Sequence, residues 1–165
     1  MFRRKNPHEA FAAALYNRTA EQARAGFLFE QCGIPDTLDG RFDALSLHAA
    51  LVIDRLRRES DGEALSQAFF DAMFKHLDLT LREIGVQDLG VGRRIKIMAE
   101  GFQGRALAYR AALASTDPAH LTEALRRNAY GGRPPAGPEA VAKLEDHVRR
   151  EVARLAATSR NALSQ

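Results

Sequence analysis

The apolar residues of this chain recur at three- and four-residue steps in several blocks, and that period is typical of amphipathic α-helices. The clearest block begins at Leu65 and continues to Ile84. Its apolar positions are Leu65, Phe69, Phe70, Met73, Phe74, Leu77, Leu81 and Ile84. They cover more of the helix circumference than the narrow stripe of a surface helix. The pattern therefore predicts that this helix is the centre of the domain.

Other blocks with the same period lie on both sides of this helix. Apolar residues repeat helically from Phe42 to Leu56, from Ile95 to Leu113 and, in a shorter run, from Leu121 to Leu125. A last block extends from Val141 to Leu155. No segment reads convincingly as a strand. The pattern therefore predicts an all-α protein, a single bundle of about six to seven helices over residues 1–165.

Capping residues and turn residues divide the first part of the chain. Thr19, with Gln22 three residues later, has the spacing of a capping box, which predicts that a new helix starts there. That helix is expected to end at Gly33. The segment from Ile34 to Arg41 is rich in turn residues and is expected to be a loop.

Glycine-containing segments divide the second part. Gly85 is expected to end the central helix in a left-handed cap, with a turn over Val86–Gly92 behind it. Gly131–Pro138 reads GGRPPAGP and is the clearest linker. The C-terminal helix that follows either packs on the core or projects to a partner. Packing on the core is favoured, because an isolated helix of this length is marginal in water.

Composition narrows the class of protein but does not define a function. Of 165 residues, 45% are hydrophobic and 27% are charged, which excludes general disorder. The formal net charge is +3, so the surface requires neither nucleic acid nor anionic lipid as a partner. Cys32 is the only cysteine, which excludes an intrachain disulfide and suits a reducing compartment. No signal peptide and no apolar run of membrane-spanning length is visible, so we expect a cytoplasmic protein.

Candidate catalytic chemistry is sparse. The histidines form no HExxH motif, and His48, on the apolar side of its helix, is expected to bond a neighbouring carboxylate or carbonyl. The segment Gly90-Val91-Gly92 precedes several cations but lacks the spacing of a phosphate-binding loop. The arginine pairs are scattered rather than aligned in one basic stripe, which predicts no DNA binding. We therefore expect a binding protein without catalytic residues, cofactor or metal.

Four segments carry specific patterns in a fixed order. Leu38 to His48 reads LDGRFDALSLH, and Asp78 to Lys96 reads DLTLREIGVQDLGVGRRIK. Ala99 to Tyr109 reads AEGFQGRALAY, and Arg127 to Tyr130 reads RNAY. Together these segments, which span more than half of the chain, resemble the ubiquinol–cytochrome c chaperone family.

The resemblance implies a non-enzymatic assembly factor that has no ATP cycle. Its expected client is newly made cytochrome b, or another subunit of the cytochrome bc1 complex. In mitochondrial relatives a small partner protein and the ribosome exit region are also involved. Such a role adds the inner-membrane surface, on the matrix side in an organelle, to the expected locations, with peripheral membrane association.

Recognition of an apolar helical client requires an apolar groove and a polar docking patch. Phe70 and Phe74 are candidates for the groove, although both also suit the core. Charged residues beside the glycine-rich joint are candidates for the patch, with internal salt bridges as the alternative. Gly101 and Gly104 are expected where another helix or a client approaches closely. The candidate partner-binding residues are Asp78, Arg82, Glu83, Asp88, Arg93, Arg94, Arg105, Tyr109, Phe70 and Phe74.

Two other functions stay open on the sequence alone. A helical bundle can carry an apolar small ligand such as a quinone, a lipid or haem, and would then hold a pocket of roughly several hundred Å³. The basic balance also permits a ribosome- or RNA-associated protein, whose binding would weaken steeply with salt.

Overall fold

The structure is a computed structural model that describes residues 6–165, and every regular element in that range is a helix. The helices are α1 (Glu9–Ala23), α2 (Gly26–Glu30), α3 (Leu38–Leu56), α4 (Gly62–Glu83), α5 (Asp88–Ala114), α6 (Ala119–Asn128), α7 (Pro138–Ala157) and α8 (Arg160–Leu163). The all-α prediction is confirmed. The described residues form eight helices, one more than the upper end of the predicted range. The extra helix is α8, which is four residues long and therefore too short to show a hydrophobic period.

The centre of the bundle is α3, whereas the apolar pattern assigned that place to α4. Thirteen of the 19 residues of α3 are buried, and residues 43–53 are buried without interruption. Only seven of the 22 residues of α4 are buried. The helices α1, α4, α5 and α7 all pack against α3. Its alanines permit close packing on every side, but Asp43, Ser46 and His48 give the sequence a polar appearance and hide its burial.

The first helix is longer than the capping signal predicts. The hydroxyl of Thr19 donates to the carbonyl of Leu15 at 2.9 Å, so Thr19 lies inside α1 and caps nothing. The capping-box prediction is therefore wrong. The helix that was expected to reach Gly33 is only the short α2, which ends at Glu30.

The predicted loop Ile34–Arg41 is shorter in the structure, because α3 already begins at Leu38. Thr37 caps this helix by accepting a hydrogen bond from the amide of Gly40 at 3.1 Å. A side chain at Gly40 has no room, since an added Cβ would lie 1.8 Å from the carbonyl oxygen of Pro35. The chain therefore enters α3 by a contact between two backbone segments.

The glycines within α5 do not mark a close approach in this chain. An added Cβ on Gly104 would meet no atom within 4 Å, and one on Gly101 would meet only the side chain of Arg105. The helix also begins earlier than predicted, at Asp88, so Gly90 and Gly92 belong to its first two turns.

The C-terminal helix packs on the core of its own chain, as the sequence favours. Leu144 and Val148 are fully buried, and α7 contacts both α3 and α6. Arg55 of α3 holds the end of α7 by donating to the carbonyls of Leu155 at 3.0 Å and Thr158 at 3.1 Å. The carbonyl of Leu155 also accepts from the amide of Thr158, so Arg55 reinforces this helix end from a distant part of the chain.

Two buried histidines join α3 to α7. His48 is 2% exposed, and its Nδ1 lies 2.7 Å from the carbonyl oxygen of Ala44. A carbonyl can only accept, so Nδ1 donates and Nε2 is the acceptor for the Nε2–H of His147, at 2.9 Å. The expected carbonyl partner of His48 is confirmed, whereas no sequence pattern indicates its contact with His147. Both rings are neutral in this arrangement.

None of the helices in residues 6–165 is long and apolar enough to cross a membrane.

Replacing Gly40 by alanine is expected to lower the free energy of unfolding by about 3 kcal/mol or more, because the added methyl group meets backbone. Gly104→Ala is the matched control and should raise it by up to about 1 kcal/mol, because alanine favours the helix and nothing obstructs it. Urea unfolding of both variants measures the difference. Equal effects at the two positions would contradict the close contact at Gly40.

The histidine pair is expected to make stability fall at acidic pH. Burial lowers the pKa of His48 and lowers that of His147 from 6.5 to about 4. Below pH 6.5 the unfolded chain therefore takes up protons that the folded pair excludes, and each histidine contributes a slope of at most about 1.4 kcal/mol per pH unit. Urea unfolding of the wild type and of His147→Leu between these pH values isolates the contribution. A wild-type slope in His147→Leu would refute the assignment.

Candidate partner-binding site

The joint between α4 and α5 is an exposed turn that glycine makes possible. Gly85 has φ +93°, the left-handed region, and the amide of Val86 donates to the carbonyl of Leu81 at 3.0 Å. The amide of Gly85 donates to the carbonyl of Arg82, which completes a Schellman cap. The predicted left-handed cap at Gly85 is confirmed.

Three of the predicted charged residues meet at this joint. Arg82 donates to Asp78 one turn earlier, at 2.8 Å, and also to Asp88 at the start of α5. The hydrogen bond to Asp78, and then that to Asp88, raises the pKa of Arg82 above its usual range. Exposed ion pairs of this kind add little to stability. The triad therefore positions α5 on α4 and leaves its polar groups accessible to a partner.

The other predicted charges do not join this triad. Arg93, Arg94 and Glu83 are exposed and form no ion pair within the described part of the chain. Arg105 lies 17 residues beyond Asp88, roughly 26 Å along the helix axis. The predicted charged residues thus belong to two separate regions, the α4–α5 joint and the second half of α5, rather than to one patch.

Arg105 instead pairs with a buried carboxylate in the middle of α3. Its Nη2 lies 2.8 Å from Oδ1 of Asp43, a residue that is 2% exposed. The other oxygen of Asp43 accepts from the amide of Gly131 at 2.7 Å. Burial raises the pKa of Asp43, while Arg105 and the Gly131 amide oppose that shift. For Arg105 the internal salt bridge is therefore the role that the geometry supports.

Tyr109 and Phe74 are part of the core. Tyr109 is 1% exposed and Phe74 is 8% exposed, so neither side chain is accessible to a docked protein in this conformation. The hydroxyl of Tyr109 is buried with no hydrogen-bond partner among the described residues, and burial raises its pKa.

Phe70 lies at the edge of the core, where it lines a groove. Its ring centroid is 4.5 Å from that of Phe74 and 5.9 Å from that of Phe102. The groove runs between α3, α4 and α5, has a volume of about 660 Å³ and is open to solvent along one side. Its apolar lining consists of Ala50, Ile53, Phe70, Phe102, Ala106 and Leu107.

Polar groups in the groove have unused hydrogen-bonding capacity. The hydroxyl of Ser66 and the Nε of Arg110 are buried, and neither has a hydrogen-bond partner within residues 6–165. The Nε of Arg110 does lie 3.4 Å from Oδ1 of Asp54. Arg57 and Glu63 also line the groove. The groove therefore offers apolar surface together with the exposed polar side chains of Arg57 and Glu63.

Of the residues that line the groove, the sequence pattern indicates only Phe70 as a candidate. Phe102, Leu107 and Arg110 were not candidates, because their proximity to Phe70 depends on how α5 lies across α3 and α4. One feature of the sequence does point to the groove. Leu107 is apolar but comes directly after Ala106, outside the repeating apolar positions of α5, and in the structure its side chain is 63% exposed. An apolar residue outside the buried face of a helix is a sign of a contact surface.

The described residues contain no cluster of three or more histidine, cysteine, aspartate or glutamate side chains that could hold a metal ion. His48 and His147 do converge, but the Nε2 atoms that face each other are already occupied by the hydrogen bond between the two rings.

An all-helical bundle with an open, apolar groove and an exposed charged joint has the features of a protein-binding module. The chain belongs to the ubiquinol–cytochrome c chaperone family, whose family model, "Ubiquinol-cytochrome C chaperone", matches residues 30–165. The resemblance of its sequence segments to that family is thereby confirmed.

A solved structure supports the same assignment. The chain is similar to the protein in the "Crystal structure of the Cbp3 homolog from Brucella abortus", with a TM-score of 0.79 and 35% sequence identity. The match covers 95% of this chain and 86% of that one. A search of the curated proteins finds no significant match.

Removing the buried carboxylate is expected to destabilise the bundle strongly. Asp43→Ala leaves Arg105 without its partner and the Gly131 amide without an acceptor, so the free energy of unfolding should fall by about 3–5 kcal/mol. Asp36→Ala is the matched control, because the Asp36–Arg41 pair is mostly exposed and its loss should cost less than about 1 kcal/mol. Urea unfolding compares them, and similar losses for both variants would argue against a structural role of Asp43.

Proposed function

We propose that this protein is a non-enzymatic assembly factor that binds newly made cytochrome b and promotes assembly of the cytochrome bc1 complex. The observation that carries the proposal is the family match over residues 30–165. Membership of a chaperone family supports a bc1-related partner and a role that requires no catalytic residue.

The groove between α3, α4 and α5 is the surface that best suits such a client. Phe70 and Leu107 offer apolar contact to a segment that will later lie in a membrane. The exposed side chains of Arg57 and Glu63 offer hydrogen bonds to its polar groups. A helix-in-groove contact combines these two features, because apolar anchors provide affinity and the polar groups fix the register.

The groove supports a polypeptide better than a small apolar cargo. A carrier for quinone, lipid or haem is expected to bury most of its ligand in an apolar pocket. Here the space of about 660 Å³ is open along one side and is also lined by Arg57, Glu63, Gln67, Gln103 and Arg110. A ribosome- or RNA-bound role predicts strong salt dependence and has no comparable groove in its favour.

The proposal places the protein on the side of the membrane where cytochrome b is inserted, at or near the bilayer surface. The charged joint of Arg82, Asp78 and Asp88 is then available for a second protein, while the groove holds the client. Glu83 lies beside that joint and is accessible to the same partner.

The variant Leu107→Asp tests the groove directly. Leu107 is 63% exposed, so the change should leave the fold intact, and a carboxylate in the apolar lining should reduce capture of newly made cytochrome b by about tenfold. The measurement is co-purification of labelled cytochrome b from cells that lack the native gene and express the variant. Assembled bc1 complex, read from its cytochrome spectrum, should fall in parallel.

Leu79→Asp is the matched control, because Leu79 is 51% exposed and lies outside the groove. It should retain normal capture and normal bc1 levels. Deletion of the gene should lower assembled bc1 complex while the cytochrome b transcript persists. Normal spectra in the deletion strain would overturn the proposed function, whereas normal capture by Leu107→Asp alone would overturn only the place of binding.

A further inference from the structure

The α4–α5 joint exposes apolar side chains that the bundle does not use. Within residues 82–97 only Val91 is buried. Leu89 is 91% exposed, Ile97 is 62% exposed and Ile84 is 57% exposed. Isolated exposed leucines are common, but three in one joint form a surface with a preference for an apolar environment.

The exposed residues of α5 form one face. At about 100° per residue, the side chains of Leu89, Arg93, Lys96 and Ile97 fall within an arc of roughly 100°. Val91 lies on the opposite side, toward α4. We call Leu89, Arg93, Lys96 and Ile97, with Arg94 on its flank, the tip face. Along the first three turns of the helix it has an aliphatic side chain at each end, Leu89 and Ile97, and cationic side chains between them.

The tip face carries more cations than acids. Arg93, Arg94 and Lys96 form no ion pair within the described range, while Asp78 and Asp88 are held by Arg82. Over residues 78–97 the four cations exceed the three acids by one. Glu100 lies on the line of the face about one turn after Lys96, so Arg93 and Arg94 are the cations of the face that lie further from it.

We propose that the tip face binds the surface of an anionic phospholipid bilayer. Leu89 and Ile97 enter the boundary between headgroups and acyl chains, and Arg93, Arg94 and Lys96 bind lipid phosphates. A bilayer is favoured over a protein partner because the two exposed aliphatic side chains, with cations between them, lie along one side of a single helix, an arrangement that suits a planar anionic surface. Single-stranded RNA is disfavoured because no aromatic side chain is present for base stacking.

Vesicle flotation with the full chain tests whether the tip face binds anionic lipid. Phosphatidylcholine vesicles with added phosphatidylglycerol should bind the protein, pure phosphatidylcholine vesicles should not, and added salt should weaken binding. Replacing Arg93, Arg94 and Lys96 by glutamine should weaken binding by about 100-fold. The pair Leu89→Ser and Ile97→Ser should weaken it by about tenfold. Circular dichroism should show an unchanged helix content in each variant.

Two control variants distinguish the tip face from the rest of the protein surface. Arg126→Gln with Arg127→Gln removes two cations elsewhere and should leave vesicle binding near the wild-type level. Leu107→Asp alters the client groove and should also bind vesicles normally, so the tip face and the proposed function fail independently. Absence of binding to anionic vesicles, full binding by the serine pair, or equal loss in the arginine control would overturn the proposal. Displacement of the protein by RNA at equal phosphate concentration would likewise refute it.

Discussion

The arrangement of the helices depends on how one buried carboxylate is satisfied. Asp43 lies in the middle of α3, and its two oxygens are bound by Arg105 of α5 and by the backbone amide of Gly131. A buried carboxylate without such partners would be costly, so these contacts fix the position of α5 and of the segment after α6 relative to α3. Arg105 also lies over the ring of Phe42, with 5.6 Å between its guanidinium carbon and the ring centroid. Because α3 and α5 are two walls of the groove, the same ion pair sets the width of the groove.

The groove and the tip face lie at different places on α5. Leu107 and Leu89 are 18 residues apart, which corresponds to roughly 27 Å of helix. The two surfaces are therefore separated along the helix, and a client can occupy the groove while the tip face contacts lipid. The exposed polar side chains that line the groove, such as Arg57 and Glu63, suit a client segment that is bound in water, before it enters the membrane.

Local patterns predicted the helices well and the tertiary contacts poorly. The period of apolar residues placed α4, α6 and α7, and Gly85 marked the end of α4, because these signals act within a few residues. The pattern failed at α3, where Asp43 and His48 resemble surface residues. Their partners, Gly131 and His147, lie 88 and 99 residues away, and nothing local indicates such a pairing. The same holds for the candidate site. The glycines and charges of the α4–α5 joint are visible in the sequence, whereas the groove forms only where three helices pack together.

These long-range pairs have a consequence for how the chain matures during translation. The carbonyl of Cys32 accepts a hydrogen bond from the hydroxyl of Tyr130, and the carboxylate of Asp43 accepts one from the amide of Gly131. The ring of His48 accepts one from His147, and Arg55 donates one to the carbonyl of Leu155. Asp43, His48 and Arg55 of the central helix therefore each obtain one of their partners from residues after the sixth helix. A nascent chain that has exposed α1 to α5 to water lacks these partners, which help to make burial of α3 favourable. Domains commonly fold from the N-terminal side as they are synthesised, but this one completes its core only when its last helices have left the ribosome.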